Sequence, residues 1–125
     1  MKADYLIMSD SDFVRLMALN PEPRLRAELE GAIVVPPETV PHDVVRMNSR
    51  VRYLDESTGQ RNEIEIVYPS HADPSAGRIS VLAPVGSALI GLSVGQQIDW
   101  DFPNGRSIRL RVEGVLAQQE SLAAA

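Results

Sequence analysis

The sequence contains no cysteine, and Lys2 is the single lysine among its twelve cationic residues, which leaves eleven arginines. The lack of cysteine excludes disulfide bonds, thiolate zinc sites and cysteine nucleophiles, and it is compatible with a reducing compartment. Arginine has a planar guanidinium that suits bidentate contact with carboxylates. The composition therefore favours a protein partner at least as much as a nucleic acid.

Long apolar runs and a positive net charge are also missing. No stretch approaches the roughly 20 apolar residues of a membrane-spanning helix, and residues 1–7 lack the pattern of a signal peptide. The net charge of -5 argues against non-specific DNA binding, which requires a basic surface to neutralise phosphates. We therefore expect a cytoplasmic protein with no membrane association and no specific DNA readout.

The first third of the chain has the pattern of two short helices. Phe13, Leu16 and Met17 are spaced at i, i+3 and i+4 and form one apolar stripe, preceded by capping candidates at positions 9–11. The segment Asn-Pro-Glu-Pro at 20–23 ends the first helix, and a second helix is expected to begin near Pro23. The residues predicted to point inward from it are Leu25, Leu29 and Ile33. Residues 1–34 thus predict a helical hairpin with arms of only about nine residues each.

A proline-rich linker is predicted at residues 35–43, and the hydrophobic period changes to two after it. Five strands are predicted, with one short helix at residues 84–90. The strand centres are expected near Val51, Ile66, Ile79, Trp100 and Leu110. Residues 44–117 therefore predict a mostly antiparallel sheet carrying one helix, an α+β arrangement, and residues 118–125 are expected to be a flexible tail.

Catalytic and metal-binding patterns are weak throughout the chain. His42 lies in the predicted linker and His71 in a predicted loop, and no serine sits in a nucleophile elbow such as G-x-S-x-G. The run at 86–91 has the glycine spacing of a phosphate-binding loop, but Leu92 occupies the position where that loop needs lysine. We therefore predict no catalytic residue, no metal site and no cofactor.

Charged residues alternate along the last two predicted strands. Asp99 and Asp101 share one face of a strand, and Arg109 and Arg111 share one face of the next. Two carboxylates at i and i+2 could hold a divalent ion, but an exposed acidic face is the more frequent outcome. If the two strands are neighbours, cross-strand ion pairs are expected.

Several segments between residues 41 and 117 resemble the C-terminal domain of the bacterial transcript cleavage factors GreA and GreB. They include Met-Asn-Ser-Arg-Val at 47–51, Val-Tyr-Pro at 67–69, Pro-Val-Gly-Ser-Ala-Leu-Ile-Gly at 84–91 and Pro-Asn-Gly at 103–105. The chain is more similar still to a relative of these factors, the regulator of nucleoside diphosphate kinase. The resemblance implies an FKBP-like fold, in which an antiparallel sheet carries one short helix. Prolyl isomerase activity is not expected, because the aromatic residues alternate with polar ones as core residues do.

The resemblance also implies that the domain binds RNA polymerase near the entrance of its secondary channel. Gre factors insert a long coiled coil into that channel, with a pair of acids at the tip that help to hold catalytic magnesium. Here the predicted hairpin is several-fold shorter, and Glu22 is the one acid within residues 20–24. We therefore expect a non-catalytic regulator that binds polymerase and competes with Gre factors without stimulating transcript cleavage. The alternative function is regulation of nucleoside diphosphate kinase, through direct contact or through its expression.

Two short segments supply the candidate partner-binding residues. The first comprises Arg46, Asn48 and Arg50 at the entrance to the first predicted strand. The second comprises Gly86, Ser87 and Ala88 at the start of the predicted helix. Small residues in the second segment either expose the backbone to a partner or allow tight packing of the helix on the sheet, and the sequence does not decide between these alternatives.

Overall fold

The computed structural model describes residues 6–116, so the predicted tail at 118–125 lies outside the described residues. In chain order the elements are β1 (Ile7–Ser9), α1 (Asp10–Ala18), α2 (Pro23–Glu30), β2 (Ile33–Val35), β3 (Arg50–Asp55), β4 (Gln60–Val67), β5 (Arg78–Ser80), α3 (Pro84–Leu89), β6 (Gln97–Asp101) and β7 (Ser107–Leu116). The strands β3 to β7 form one sheet in the order β5-β4-β3-β7-β6, and β1 pairs with β2. The architecture is mixed α+β, as the sequence predicted.

The two short helices form where their capping and apolar residues predict. The side chain of Ser9 caps α1 by accepting a hydrogen bond from the amide of Asp12 at 3.1 Å. Pro23 occupies the first turn of α2, where its missing amide donor costs nothing. Leu16, Leu25 and Leu29 are almost completely buried. The helices contain nine and eight residues, close to the predicted length.

Two parallel strands flank these helices, and the sequence analysis did not predict them. Ile33 was expected to extend the apolar face of the second helix, but it lies in β2, and its side chain is 46% exposed. The strands β1 and β2 pair Ile7 with Ile33. A three-residue strand is too short to give a recognisable period-two pattern, which explains the error. We call residues 7–35 the two-helix unit.

A short 3-10 turn at Pro37–Thr39 follows β2, within the predicted linker. The chain then enters the hairpin of β3 and β4, whose turn lies at residues 56–59. The strand β7 pairs with both β3 and β6 in antiparallel orientation. The pairing of β3 with β7 shifts register between Arg52 and Tyr53, which marks a β-bulge.

One pair of strands departs from the predicted antiparallel sheet. The strand β5 runs parallel to β4, with Ile66 opposite Ile79. Two short 3-10 turns, Pro69–His71 and Pro74–Ala76, carry the chain from the end of β4 back to the start of β5. Strand direction depends on this connection rather than on the residues of the strand, so the alternation of residues did not reveal it.

The core is continuous from the two-helix unit to the sheet. Buried residues of β1, α1 and α2 belong to the same hydrophobic cluster as those of α3 and the inner face of the sheet. The amide of Ile7 also donates to the carbonyl of Gly91, and Gly91 in turn donates to Val45. These contacts join the first elements to the sheet by packing and by backbone hydrogen bonds. Within residues 6–116, no helix combines the length and the apolar character needed to cross a membrane.

Candidate partner-binding surface

The segment at residues 44–50 presents polar side chains above buried apolar ones. Val45 and Met47 are buried, whereas Arg46 and Asn48 are partly exposed and Arg50 is exposed. The burial of Val45, Met47 and Ser49 leaves the side chains between and after them at the surface. The structure therefore leaves the three candidates at 46, 48 and 50 at least partly accessible to a partner.

Local hydrogen bonds fix the backbone of this segment. Asn48 has a φ of +68°, a left-handed conformation that asparagine tolerates better than most residues. Its amide donates to the carbonyl of Ile66 at 2.6 Å, and the hydroxyl of Ser49 accepts from the amide of Arg46 at 3.0 Å. The turn is thus anchored to β4, and it presents its side chains from a defined backbone.

The two arginines of the segment differ in their ionic contacts. A carboxylate oxygen of Glu63 lies 3.7 Å from Arg50 and another lies 4.0 Å from Arg52. Within residues 6–116, Arg46 forms no such ion pair. The guanidinium of Arg46 is therefore the more available of the two for a carboxylate of a partner.

The candidates in α3 are used in internal packing. A Cβ atom on Gly86 would overlap the carbonyl oxygen of Ser80 and lie 2.9 Å from the Cα of Val81, so the close approach of α3 to the chain before it requires glycine. Ser87 is buried and its hydroxyl donates to the carbonyl of Val81 at 2.8 Å. Ala88 is buried as well. Of the two alternatives, the structure thus exhibits the tight packing, and a contact of these three residues with a partner stays a prediction.

The sequence analysis did not single out Leu82, an exposed apolar residue directly before α3. Its side chain is 40% exposed, and the hydroxyl of Ser80 holds its amide at 3.0 Å. The amide of Val81 donates to β4 from the side opposite Asn48, so Leu82 and Asn48 are separated by about two strand spacings, roughly 10 Å. A leucine two residues before the start of the predicted helix at Pro84 was the available signal.

The acid and arginine pairs of the last strands are confirmed in part. Arg109 binds both carboxylate oxygens of Asp99, at 2.8 and 3.3 Å, as the cross-strand prediction required. Arg111 instead binds Glu56 at 2.8 Å, and Asp101 lies 3.7 Å from Arg24. A divalent-ion site at Asp99 and Asp101 is not supported, because both carboxylates face arginines.

These contacts shift the ionisation of the groups involved. The hydrogen bond from Arg109 lowers the pKa of Asp99, and hydrogen bonds from Arg111 and Gln97 lower the pKa of Glu56. Asp99, Arg109 and Glu56 line an open depression on the sheet together with Ser57 and Ser107. Each of its two carboxylates is paired with an arginine, Asp99 with Arg109 and Glu56 with Arg111, so the depression presents no unpaired acid or base for general acid–base chemistry.

The two histidines are far from forming a metal site. His42 and His71 are both exposed and lie in separate connecting segments. Across the described part of the chain, no three histidine or acidic side chains are grouped so as to hold a metal ion.

Comparison with known proteins identifies a transcription-factor family. The family model described as "Transcription elongation factor, GreA/GreB, C-term" matches residues 40–117. A protein named regulator of nucleoside diphosphate kinase, from Escherichia coli K12, is 39% identical over 93% of this chain and 92% of its own length. A GreA from Thermodesulfovibrio yellowstonii is 39% identical over 63% of this chain. The matched region spans about half of the length of that relative. The solved structure of a GreA/GreB elongation factor from Nitrosomonas europaea matches with a TM-score of 0.70 and 42% identity, covering 90% of this chain and 98% of that one.

Proposed function

The chain belongs to the GreA/GreB family of transcription elongation factors, and from this premise we propose that it is a non-catalytic regulator that binds RNA polymerase. The proposed contact lies near the entrance of the secondary channel, where it would compete with GreA-type and GreB-type factors. A cytoplasmic location follows from the proposed partner. The observation that carries the proposal is the family match over residues 40–117, joined to a much shortened helical segment.

The length and composition of the two-helix unit support the absence of transcript cleavage. At 1.5 Å per residue, helices of nine and eight residues extend only about 12–14 Å. Between them, Glu22 is the one acid, and it is flanked by Pro21 and Pro23. A unit of this size, with no acid pair in the segment between its helices, cannot reach a distant metal centre and help to hold its magnesium. We therefore propose that the chain occupies the channel entrance without stimulating cleavage.

The proposed docking surface comprises Arg46, Asn48, Arg50 and Leu82. Two guanidinium groups at the entrance to β3 suit carboxylates of a partner, and the exposed Leu82, roughly 10 Å from Asn48 across β4, suits an apolar contact. Beneath this surface the buried residues Gly86, Ser87 and Ala88 hold α3 against the chain that carries Leu82. We propose that these three support the surface through the position of α3.

Binding to purified RNA polymerase, with GreA as the competitor, tests the proposal. We expect saturable binding that GreA reduces, and weaker binding for Arg46→Ala, which removes a cation that forms no ion pair within residues 6–116. Arg106→Ala is the matched control, because Arg106 is exposed in the turn between β6 and β7. No binding of the parent chain at micromolar concentrations would overturn the proposed function.

Arg50→Glu provides a stronger test of the same surface. The substitution reverses a charge next to Glu63 and opposite Glu65, so it removes an ion pair and adds repulsion across the strands. We expect polymerase binding to weaken while the circular dichroism spectrum stays folded. A loss of the folded spectrum would instead assign a structural role to Arg50.

We also propose a fold type for the sheet and a division of the chain into domains. The sheet with α3 on one face is proposed to be FKBP-like, with residues 44–117 as the docking domain, 35–43 as its linker and 1–34 as a short helical hairpin. A solved structure of the complex with polymerase would test this division. The shared hydrophobic cluster indicates that the parts fold together.

The second candidate function is regulation of nucleoside diphosphate kinase. Its support is the name of the Escherichia coli relative, which this chain matches over 92% of that protein's length. Kinase activity measured with and without the purified chain separates a direct effect from an indirect one. An unchanged kinase rate at a saturating concentration of the chain would exclude direct regulation and leave regulation through expression of the kinase.

A further inference from the structure

Arg24 makes three contacts with β6, a strand 75 residues later in the sequence. Its guanidinium carbon lies 4.2 Å from the centre of the Trp100 ring. One of its nitrogens donates to the carbonyl of Asp99 at 2.9 Å, and another lies 3.7 Å from the carboxylate of Asp101. A single side chain at the start of α2 thus contacts a ring, a backbone carbonyl and a carboxylate.

The position of β6 explains why one side chain reaches all three groups. β6 is an edge strand, and successive residues point to opposite faces of it. Trp100 points into the core and is 2% exposed, whereas Asp101 is on the outer face. Arg24 therefore passes over the edge of the sheet. Lysine could supply the charge, but it lacks the flat face that stacks on Trp100 and the fork that binds two acceptors together.

A second set of polar contacts holds α1 at another place. The hydroxyl of Tyr68 donates to Asp12 at 3.2 Å, and the guanidinium carbon of Arg15 lies 5.9 Å from the centre of the Tyr68 ring. Tyr68 directly follows β4, which is separated from β6 by two other strands. The two attachments are therefore roughly 14 Å apart across the sheet. The backbone hydrogen bond from Ile7 to Gly91 is a third attachment, and contacts at several distant places fix the direction of a small rigid unit, which one place would not.

We infer that Arg24 is a positioning residue that fixes the direction of the two-helix unit relative to the sheet. With Arg24 in place, the segment at residues 19–22 between the helices is held beside β6. Without it, the unit keeps its buried leucines, the contacts of Tyr68 and the hydrogen bond from Ile7 to Gly91, but the start of α2 loses its contacts with the sheet edge. The functional consequence rests on the proposed function: a chain with a fixed unit binds polymerase as one rigid body.

The absence of cysteine allows a direct distance measurement. Spin labels on the exposed positions of Glu22→Cys and Gln60→Cys report the distance from the segment between the helices to the hairpin of β3 and β4. We expect a narrow distance distribution in this parent chain and a broad one after Arg24→Ala. Arg26→Ala is the matched control, because Arg26 lies in the same helix and its side chain binds Asn20 within the unit at 2.9 Å. We expect the control to keep the narrow distribution.

Fluorescence of the single tryptophan supplies an independent measurement. Arg24→Ala removes the group that covers the ring of Trp100, so we expect red-shifted emission and several-fold stronger quenching by acrylamide. Arg24→Lys should give an intermediate distance distribution, and it decides the question if Arg24→Ala does not fold. A folded Arg24→Ala chain with the distance distribution of its parent would overturn the inference, as would an Arg24→Lys chain indistinguishable from the parent.

Polymerase affinity separates this inference from the proposed function. If the unlabelled parent binds polymerase, Arg24→Ala should bind more weakly, because the released unit must be ordered again in the complex. If the parent does not bind, the proposed function fails, while the distance distributions still decide whether Arg24 fixes the unit. Equal affinity of the two chains, combined with a broadened distribution, would contradict the stated consequence for binding.

Discussion

The two-helix unit and the five-stranded sheet are stabilised in different ways. The sheet pairs each strand with a neighbour, and α3 packs into the core on its inner face. The unit has helices of nine and eight residues, and isolated helices below about 12–15 residues are marginal in water. It therefore depends on Leu16, Leu25 and Leu29, which pack into the common core, and on polar contacts at Tyr68 and Arg24. A segment that looks like an appendage in the sequence is a dependent part of one folded body.

The strongest test of this comparison removes a buried leucine from the unit. Leu29→Ala should lower the free energy of unfolding by about 2–5 kcal/mol, since Leu29 is fully buried and leaves a cavity. Because the core is shared, Trp100 fluorescence and helical circular dichroism should lose their signals at the same lowered denaturant midpoint. Val14→Ala, at a position 65% exposed, is the control and should have little effect. Two separate transitions would show that the unit and the sheet unfold independently.

A substitution at the contact between α3 and the sheet tests how the five-stranded sheet is stabilised. Gly86→Ala gains up to about 1 kcal/mol of helix propensity, but its Cβ would overlap backbone atoms rather than a flexible side chain. We expect a net loss of about 1–3 kcal/mol in chemical denaturation, because backbone must shift. Gly31→Ala is the matched control, since its Cβ would meet its nearest neighbour at an ordinary 3.7 Å. Equal stability of the two variants would contradict the close packing of α3.

The hydrogen bond between Tyr68 and Asp12 should have a smaller effect. Tyr68→Phe should cost about 1 kcal/mol, the usual net value of one hydrogen bond. Burial and the nearby charge of Asp12 raise the pKa of Tyr68 from 10.0 to about 12, so the folded chain holds this proton more tightly than the unfolded chain. The resulting stabilisation is full below pH 10 and is lost as the pH rises toward 12.

Alkaline denaturation measures this linkage. Tyr68→Phe should lose less stability than the parent between pH 10 and 12. Some loss should persist in the variant, because burial also raises the pKa of Tyr53. Equal pH dependence in the two chains would show that Tyr68 is not held in its protonated form by the unit.

The smallest effect is expected on the outer face of the sheet. Asp99→Asn removes the charge of a pair that is open to solvent, so the change in denaturant midpoint should be small and should shrink with added salt. Since Arg109 lowers the pKa of Asp99, the contribution of this pair is present above the ordinary carboxyl pKa and is lost as the pH falls through the lowered value. A large loss of stability that persists at high salt would show that this ion pair contributes as much to the free energy of unfolding as the contacts of the two-helix unit.

Local patterns predicted most of the elements but not their contacts with one another. Ser9, Pro23 and the alternation around Val51 each act over a few residues, so the helices and the hairpin of β3 and β4 could be located from the sequence. The parallel direction of β5 and the pairing of Ile7 with Ile33 depend on distant parts of the chain, and no local signal encodes them.

The candidate surface, too, could be predicted only where local patterns determine it. Arg46, Asn48 and Arg50 were selected from the sequence, and the structure leaves each of them at least partly exposed, because the residues between them are buried. The burial of Gly86 could not be decided in advance, because small residues fit both exposure to a partner and close packing. The contacts of Arg24 join residues 75 positions apart, so only the folded chain reveals them.

Transcript cleavage in stalled RNA polymerase complexes tests the central claim most directly. GreA would be held at a constant concentration while this chain is added in increasing amounts, with the Arg46→Ala variant added in parallel. The account predicts that cleavage falls as the chain displaces GreA, that the chain alone produces no cleavage, and that the variant inhibits less. Cleavage stimulated by the chain alone, or GreA activity unchanged at a large excess of the chain, would contradict it.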